Sequence, residues 1–135
     1  MQFEWKPQYN LNIKIIDYQH QQFVKLVNQL APEIDHIHAD PKTIDNVFQQ
    51  IDDYIHLHFR LEEKYFEQFH YIDAPAHIRE HHKFAKEIEK IKKKFENDDV
   101  TSQFDLVDYL SGWLIHHIYT VDKKYIETFH QHGLV

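Results

Sequence analysis

The chain has 135 residues, carries a formal net charge of −7 and contains no cysteine. This length predicts one domain with a sizeable core, and the absence of thiols excludes disulfides, iron–sulfur clusters, thiolate zinc sites and cysteine nucleophiles. The acidic balance argues against nucleic acid as a partner, because phosphate binding needs a basic patch. No apolar run approaches the roughly 18 residues of a membrane helix, and residues 1–10 lack a signal-peptide pattern. We therefore expect a cytoplasmic protein without membrane insertion.

Few residues interrupt the chain, since it has only two glycines and four prolines, and this favours a small number of long elements. After an irregular N-terminal arm, helices are predicted near residues 17–38, 41–69, 74–96 and 102–131. Asp40 before Pro41 and Asp73 before Pro75 are typical of helix starts, and Pro32 should kink the first helix or end it early. The short connections predict an all-α fold, an antiparallel up-down-up-down four-helix bundle.

Helical phase divides the 13 histidines into an inward and an outward set. At 100° per residue, six ionisable side chains fall within the apolar stripes: His20, His58, Glu62, His77, His81 and His117. Burying so many polar groups without a shared partner would cost several kcal/mol each, and imidazole with carboxylate is the ligand set of transition metals. The sequence therefore predicts a metal site inside the bundle.

The outward set contains the eight remaining histidines, which lie off the stripes or near helix ends. Among them are His56, His82 and His116, and Glu63 is expected to point into solvent together with His56. Four further histidines are expected on the solvated surface: His36, His38, His130 and His132.

Asp122 follows His117 by five residues, a spacing that sets the two side chains about 140° apart on an ideal helix. Beyond His117 the inward-facing positions are also rotated relative to those before it, by most of one residue's turn. A single π-type turn, or an equivalent unwinding, would return Asp122 to the inner face, and such distortions favour functional sites. We therefore predict one between His117 and Asp122.

The inward residues lie in segments that together resemble the hemerythrin family, in the family's order and over essentially the whole chain. The matching segments are Ile16-Asp17-Tyr18-Gln19-His20, His58-Phe59-Arg60-Leu61-Glu62-Glu63, His77-Ile78-Arg79-Glu80-His81, and Trp113-Leu114-Ile115-His116-His117-Ile118 running on to Asp122 and Tyr125. Trp5 in the N-terminal arm also fits. The chain departs from the usual pattern at Phe66, where a methionine is common, and at Ile72, where a proline is frequent.

This resemblance implies one di-iron domain over residues 1–135, with the two iron ions joined by an oxo or hydroxo group. The implied ligands are His77, His81 and His117 for one iron, His20 and His58 for the other, and Glu62 and Asp122 as bridges. The implied function is reversible O2 binding at the position left open on the second iron, without enzymatic activity. Delivery of O2 to an unidentified protein partner is a possible role.

The resemblance also implies what surrounds the irons. Phe59, Trp113, Leu114 and Ile118 should wall the O2 pocket, although from sequence alone each is better explained as ordinary core. An apolar wall would exclude water and so hinder both loss of peroxide and autoxidation. A second set of side chains could donate hydrogen bonds to the bridging carboxylates, namely Tyr54, Tyr65 and Tyr125.

Two alternative functions remain open at the level of sequence. A ferritin-like di-iron oxidase uses Glu-x-x-His pairs, and such pairs occur at 33–36, 67–70 and 127–130, all near predicted helix ends. That site would be rich in carboxylates and contain only two histidines. The other alternative is an O2, redox or iron sensor, which would need a separate partner because the chain has no room for an output domain.

Overall fold

The computed structural model describes residues 2–35, 39–100 and 104–135. Its α-helices are α1 (Lys14–Leu30), α2 (Pro41–Gln68), α3 (Ala74–Glu96), α4 (Leu106–Thr120) and α5 (Ile126–Gln131). Short 3-10 turns occupy Pro7–Tyr9, Ala31–Glu33 and Asp122–Tyr125. These described parts of the chain contain no β-strand, and the prediction of an all-α four-helix bundle is confirmed.

The bundle is built from neighbouring antiparallel helices. Helix α1 packs against both α2 and α4, and α2 packs against α3. The ring of four is closed by a stack between Phe84 of α3 and Trp113 of α4, whose ring centroids lie 3.5 Å apart. Each helix turns an apolar stripe inward, as its 3.6-residue period predicts. No described helix is both long enough and apolar enough to cross a bilayer.

The ends of the first two helices follow from local chemistry. Helix α1 ends at Leu30 and not near residue 38, because Pro32 has no N–H to continue the ladder and its ring clashes with the preceding turn. Residues 36–38 of the predicted helix lie outside the described residues. Helix α2 begins at Pro41 as expected, and the Asp40 carboxylate accepts a hydrogen bond of 2.9 Å from the Lys42 N–H. Asp73 precedes α3 but makes no side-chain capping bond.

The N-terminal arm is tied to α1 by two buried or half-buried polar side chains. Asp17 accepts hydrogen bonds from the N–H groups of Leu11 (2.7 Å) and Ile13 (3.3 Å). The Asn28 amide exchanges two hydrogen bonds with the backbone of Phe3. These contacts bring the arm across α1, where the Trp5 ring lies 6.3 Å from the ring of His20.

The fourth helix is interrupted where the sequence predicted a distortion. The Val121 N–H still bonds the His117 carbonyl at 2.8 Å, but the bond from the Lys124 N–H to the Val121 carbonyl spans only three residues. Val121 itself has non-helical angles (φ −121°, ψ −56°), and a 3-10 turn follows from Asp122. The expected unwinding is therefore present, but as a 3-10 turn; the π-type turn was wrong. The reoriented backbone leaves Asp122 fully buried on the inner face.

Candidate metal centre

The structure brings all seven predicted ligand side chains together in the middle of the bundle. They comprise His20 of α1, His58 and Glu62 of α2, His77 and His81 of α3, His117 of α4, and Asp122 at the start of the 3-10 turn that follows α4. Each is buried, and the most exposed of them, His58, retains only 8% of its accessible surface. Four helices thus direct imidazoles and carboxylates to a single region of the core.

Within this region the donor atoms form linked groups whose members lie within 4.8 Å of one another. The groups are His77, His81 and His117; His20, His58 and Glu62; and Glu62, His77 and Asp122. The first group supplies three imidazoles. The second supplies two imidazoles and a carboxylate, so the two ends of the site differ in their number of nitrogens.

The two carboxylates connect these ends. Glu62 Oε1 lies 3.0 Å from His81 Nε2 and 3.4 Å from His58 Nε2, and so contacts one histidine of each group. Asp122 Oδ1 lies 3.1 Å from His117 Nε2, while its Oδ2 lies 3.3 Å from His20 Nε2. Each carboxylate therefore spans the two histidine groups, as a bridging ligand must.

Several of these contacts bring imidazole nitrogens and carboxylate oxygens close together in the middle of the site, an arrangement that fits a metal ion. The Nε2 atoms of His20 and His58 approach to 3.2 Å, and those of His77 and His117 to 3.4 Å. Both oxygens of Asp122 are buried without a hydrogen bond of acceptable geometry, despite their short distances to imidazole nitrogens. Because a buried unsatisfied carboxylate is costly, lone pairs that converge in this way are best satisfied by a cation.

The electrostatics of the cluster set protonation states that suit metal binding. Burial lowers the pKa of His58 to about 4, which keeps that imidazole neutral. Burial and the nearby Asp122 act to raise the pKa of Glu62, but His58, His81 and His77 outweigh them and the pKa falls to about 2. The pKa of Asp122 also lies well below its ordinary value, against the effect of burial, because of His117. Ionised carboxylates with neutral imidazoles are the forms that bind metals.

His117 differs from His58 in its contact with Asp122. Burial acts to lower the pKa of His117, but the Asp122 carboxylate raises it above the ordinary value. Protonation of His117 therefore competes with metal binding at this end, and metal affinity should fall as the pH is lowered.

Outer hydrogen bonds fix the orientation of two imidazoles. His58 Nδ1 lies 2.6 Å from Gln19 Oε1, and His81 Nδ1 lies 2.9 Å from Glu63 Oε2. When each Nδ1 carries the hydrogen and donates it outward, the Nε2 lone pair points into the site. Glu63 was predicted to point into solvent, but its side chain is only 34% exposed and its carboxylate contacts His81, so that prediction was wrong. Gln19 directly precedes the ligand position His20, and Glu63 directly follows Glu62. This adjacency is the sequence feature that could have indicated their contacts with the site.

The tyrosines predicted beside the carboxylates have three different roles. Tyr125 donates a hydrogen bond of 2.6 Å to Glu62 Oε2, as predicted, and this leaves Oε1 to face the histidines. Tyr54 donates instead to the main-chain carbonyl of Gln19, so that prediction was wrong. Tyr65 is half-buried and packs its ring against the core, 5.5 Å from the ring of Phe69.

A small cavity lies against the end of the site that has two histidines. Its volume is about 20 Å³, enough for one water-sized molecule. The lining consists of His20 and His58 together with Phe23, Tyr54, Ile55, Phe59, Phe84, Trp113 and Leu114. Three of the four predicted wall residues are thus found there. Ile118 is buried but does not line this cavity, so its predicted role was wrong.

Aromatic rings hold the imidazoles of the three-histidine end. Phe59 stacks on His81 with centroids 3.7 Å apart and planes 7° from parallel. Trp113 stacks on His117 at 4.6 Å, and Phe66 contacts His77 at 4.8 Å. Packing against these aromatic rings therefore restrains the planes of all three imidazoles.

The outward histidines stay away from the cluster. His56 is paired with Asp52 at 3.3 Å and its side chain is 51% exposed, and His82 and His116 are exposed. His132 stacks on Phe69, and His130 is half-buried with its Nε2 3.0 Å from the Asn12 carbonyl, so the latter is less solvated than predicted.

The Glu-x-x-His pairs of the ferritin-like alternative do not enter the site. None of their described members belongs to a group that could hold a metal. His36 and His38 lie outside the described residues. The buried cluster instead contains five histidines and two carboxylates.

A four-helix bundle with two histidine groups joined by carboxylates defines a helical, histidine-rich metal-binding protein. In agreement with this, the family model described as the Hemerythrin HHE cation binding domain matches residues 11–129, and the chain belongs to that family. Among curated relatives, the bacteriohemerythrin of Stenotrophomonas maltophilia is 28% identical over 95% of this chain and 82% of its own length. That of Methylococcus capsulatus is 30% identical over 87% of this chain and 88% of its own length.

Solved hemerythrin structures have the same fold as this chain. A crystal structure of wild-type hemerythrin superposes with a TM-score of 0.77 at 27% sequence identity, and the match covers 93% of this chain and 96% of that one. The resemblance to hemerythrins found in the sequence is therefore confirmed.

Proposed function

We propose that this protein binds O2 reversibly at a di-iron centre held by the seven buried side chains. His77, His81 and His117 would hold one iron, His20 and His58 the other, and Glu62 and Asp122 both, together with an oxo or hydroxo group. The chemistry that such a pair supplies is reversible two-electron donation to O2.

The observation that carries the proposal is the position of the cavity. The proposed metal ligands that line it are His20 and His58, which belong to the end of the site with fewer nitrogen donors. At the other end, three imidazoles, two carboxylate oxygens and a bridging oxygen would supply six ligands to an iron. His20 and His58 with the same bridges would supply five, and the cavity lies beside these two histidines.

The cavity wall supports binding without further chemistry. Apart from the two histidines, the lining is aliphatic and aromatic, so it excludes water from the open position. Tyr54 has the one hydroxyl among the lining residues, and that hydroxyl is bonded to the Gln19 carbonyl. Burial, with a smaller effect of Tyr18, raises the pKa of Tyr54 to about 12, so it is a poor proton donor. The absence of an acid–base residue among these lining groups favours a carrier over an oxidase.

Charge balance supports the same assignment. Glu62 and Asp122 are both buried and both have lowered pKa values. Their two negative charges would therefore offset part of the positive charge of two ferrous ions. Neutral imidazoles such as His58 add ligand strength without adding charge. Five histidines also distinguish the site from a carboxylate-rich oxidase. The cytoplasmic location and the protein partner expected from the sequence stay predictions.

The proposal is tested by loading the protein with ferrous iron under anaerobic conditions and recording absorption spectra through cycles of O2 and argon. We expect two irons per chain and a near-ultraviolet and visible band that appears with O2 and disappears without it. Oxidation in a single irreversible step, with no such band, would contradict the carrier role. The matched control is His56→Ala, beside the proposed ligand His58 but on the exposed face of the same helix; it should cycle normally.

A further inference from the structure

The two ends of the cluster differ in the charge of the group that holds an imidazole from outside. His58 donates to the neutral amide of Gln19 at 2.6 Å. His81 donates to the Glu63 carboxylate at 2.9 Å. The other carboxylates of the site, Glu62 and Asp122, touch histidines of both ends and so cannot distinguish them. Glu63 contacts only the three-histidine end.

We propose that Glu63 is a positioning residue that acts through His81 to make the iron at the three-histidine end easier to oxidise than the iron beside the cavity. The proposal rests on the proposed di-iron function. A carboxylate that accepts the outer N–H of a ligating imidazole raises the basicity of that ligand. A more basic ligand stabilises the ferric ion more than the ferrous one, and hydrogen bonds to charged acceptors are about twice as strong as neutral ones.

The His81 ring is buried and fixed in position, so the influence of Glu63 reaches the metal-binding nitrogen. The ring is only 1% exposed and is held between Glu63 on one nitrogen and Glu62 Oε1, 3.0 Å away, on the other. The parallel stack with Phe59 prevents the ring from turning away. The Glu63 side chain is 34% exposed, so solvent screens part of its charge, and the effect should lie at the modest end of the range for such partners.

The arrangement would place the more readily lost electron on the side away from the cavity. A small ligand bound beside His20 and His58 would then depend on electron donation from the three-histidine end, to which Glu62 and Asp122 would connect it. Removing the charge of Glu63 should consequently weaken ligand retention in the cavity without altering the cavity lining, since Glu63 is not among its residues.

The decisive variant is Glu63→Gln, which keeps the side-chain length and an oxygen that can accept from His81 but removes the charge. We expect two irons per chain, as in the wild type, and a rise in one of the two one-electron reduction potentials. A tenfold loss of preference for the ferric ion corresponds to a shift of about 59 mV. Glu63→Ala removes the acceptor as well, and should weaken iron binding by about 10- to 100-fold.

Two controls accompany it. Glu67→Gln makes the same charge change one turn further along α2 on an exposed residue and should leave both potentials unchanged. Gln19→Glu gives His58 a charged partner and should lower the reduction potential of the iron at the two-histidine end. Glu63→Gln and Gln19→Glu should therefore affect different one-electron redox couples.

The proposal is overturned if Glu63→Gln leaves both potentials at their wild-type values, or if Glu67→Gln shifts them equally. Loss of iron from Glu63→Gln, but not from Glu67→Gln, would overturn it in favour of a purely structural role. Failure of the wild type to load two irons or to cycle with O2 would instead reject the proposed function itself, and this inference with it.

Discussion

His81 and His82 are adjacent on α3, yet only His81 faces the cluster, which makes them a matched pair for testing the site. His81 is 1% exposed, lies 3.0 Å from Glu62 through Nε2, and stacks on Phe59 at 3.7 Å. His82 is exposed. We predict that His81→Ala and His82→Ala differ sharply in their effect on iron-dependent stability, although each removes one imidazole from the same helix.

The size of the difference can be worked out from these contacts. In the metal-free protein, His81→Ala leaves a cavity beside Phe59 and should cost about 2 kcal/mol, the low end for large-to-small core changes, because the lost ring is polar. With iron in excess, the variant also loses one of the three nitrogens at its end of the site. A 100-fold fall in affinity removes about 2.7 kcal/mol of ligand-linked stability. His82→Ala should change stability by less than about 0.5 kcal/mol in either state.

The assay is chemical denaturation of the wild type and both variants, each with and without ferrous iron under anaerobic conditions. The quantity of interest is the increase in unfolding free energy on adding iron, since the cost of the empty cavity cancels from it. A full iron-dependent increase in His81→Ala would refute the assignment of His81 as a ligand. Loss of the increase in His82→Ala would refute the use of helical phase to choose ligands.

Three further predictions concern the surroundings of the site. Tyr125→Phe removes the hydrogen bond to Glu62 and should lower the unfolding free energy by about 1.5–3 kcal/mol, as for bonds to charged groups; Tyr119→Phe, whose exposed hydroxyl bonds a main-chain carbonyl, should cost less than about 0.5 kcal/mol in the same denaturation experiment. Ile55→Phe should fill the cavity and reduce O2 binding in stopped-flow measurements while iron content stays constant, and unaltered O2 binding would count against this cavity as the ligand site. In the metal-free protein, stability should fall as pH is lowered from about 6.5 to about 4, because unfolded His58 takes up a proton that the buried imidazole, with its pKa lowered to about 4, does not; His58→Gln should flatten that part of a pH series of unfolding free energies.

Helical periodicity was sufficient to choose which histidines face the core. His58 with Glu62, and His77 with His81, are separated by four residues and therefore share a face on any α-helix. The same argument separated His56 and His82 from their neighbours, and the structure has both of them exposed. Such choices are local, because they depend only on the rise and twist of one helix.

Periodicity was less successful where the helix is irregular or the side chain is long. Asp122 was predicted to face inward through a π-type turn or an equivalent unwinding, and the structure has a 3-10 turn after Val121. Two different distortions can correct one phase error, so the spacing alone does not select between them. Glu63 was assigned to solvent because its Cβ leaves the apolar stripe, yet its long side chain reaches the imidazole of a neighbouring helix.

The amino-acid sequence by itself determined the all-α class, the approximate helices and the seven inward donors, because composition and periodicity act over a few residues. Only the tertiary structure decided which carboxylate oxygen meets which imidazole, that Gln19 and Glu63 hold His58 and His81 from outside, and that the cavity lies at the two-histidine end and excludes Ile118. The contact between His81 and Glu63 joins residues 18 positions apart on different helices. Its existence depends on the distance and relative rotation of those helices, which packing of the whole core sets.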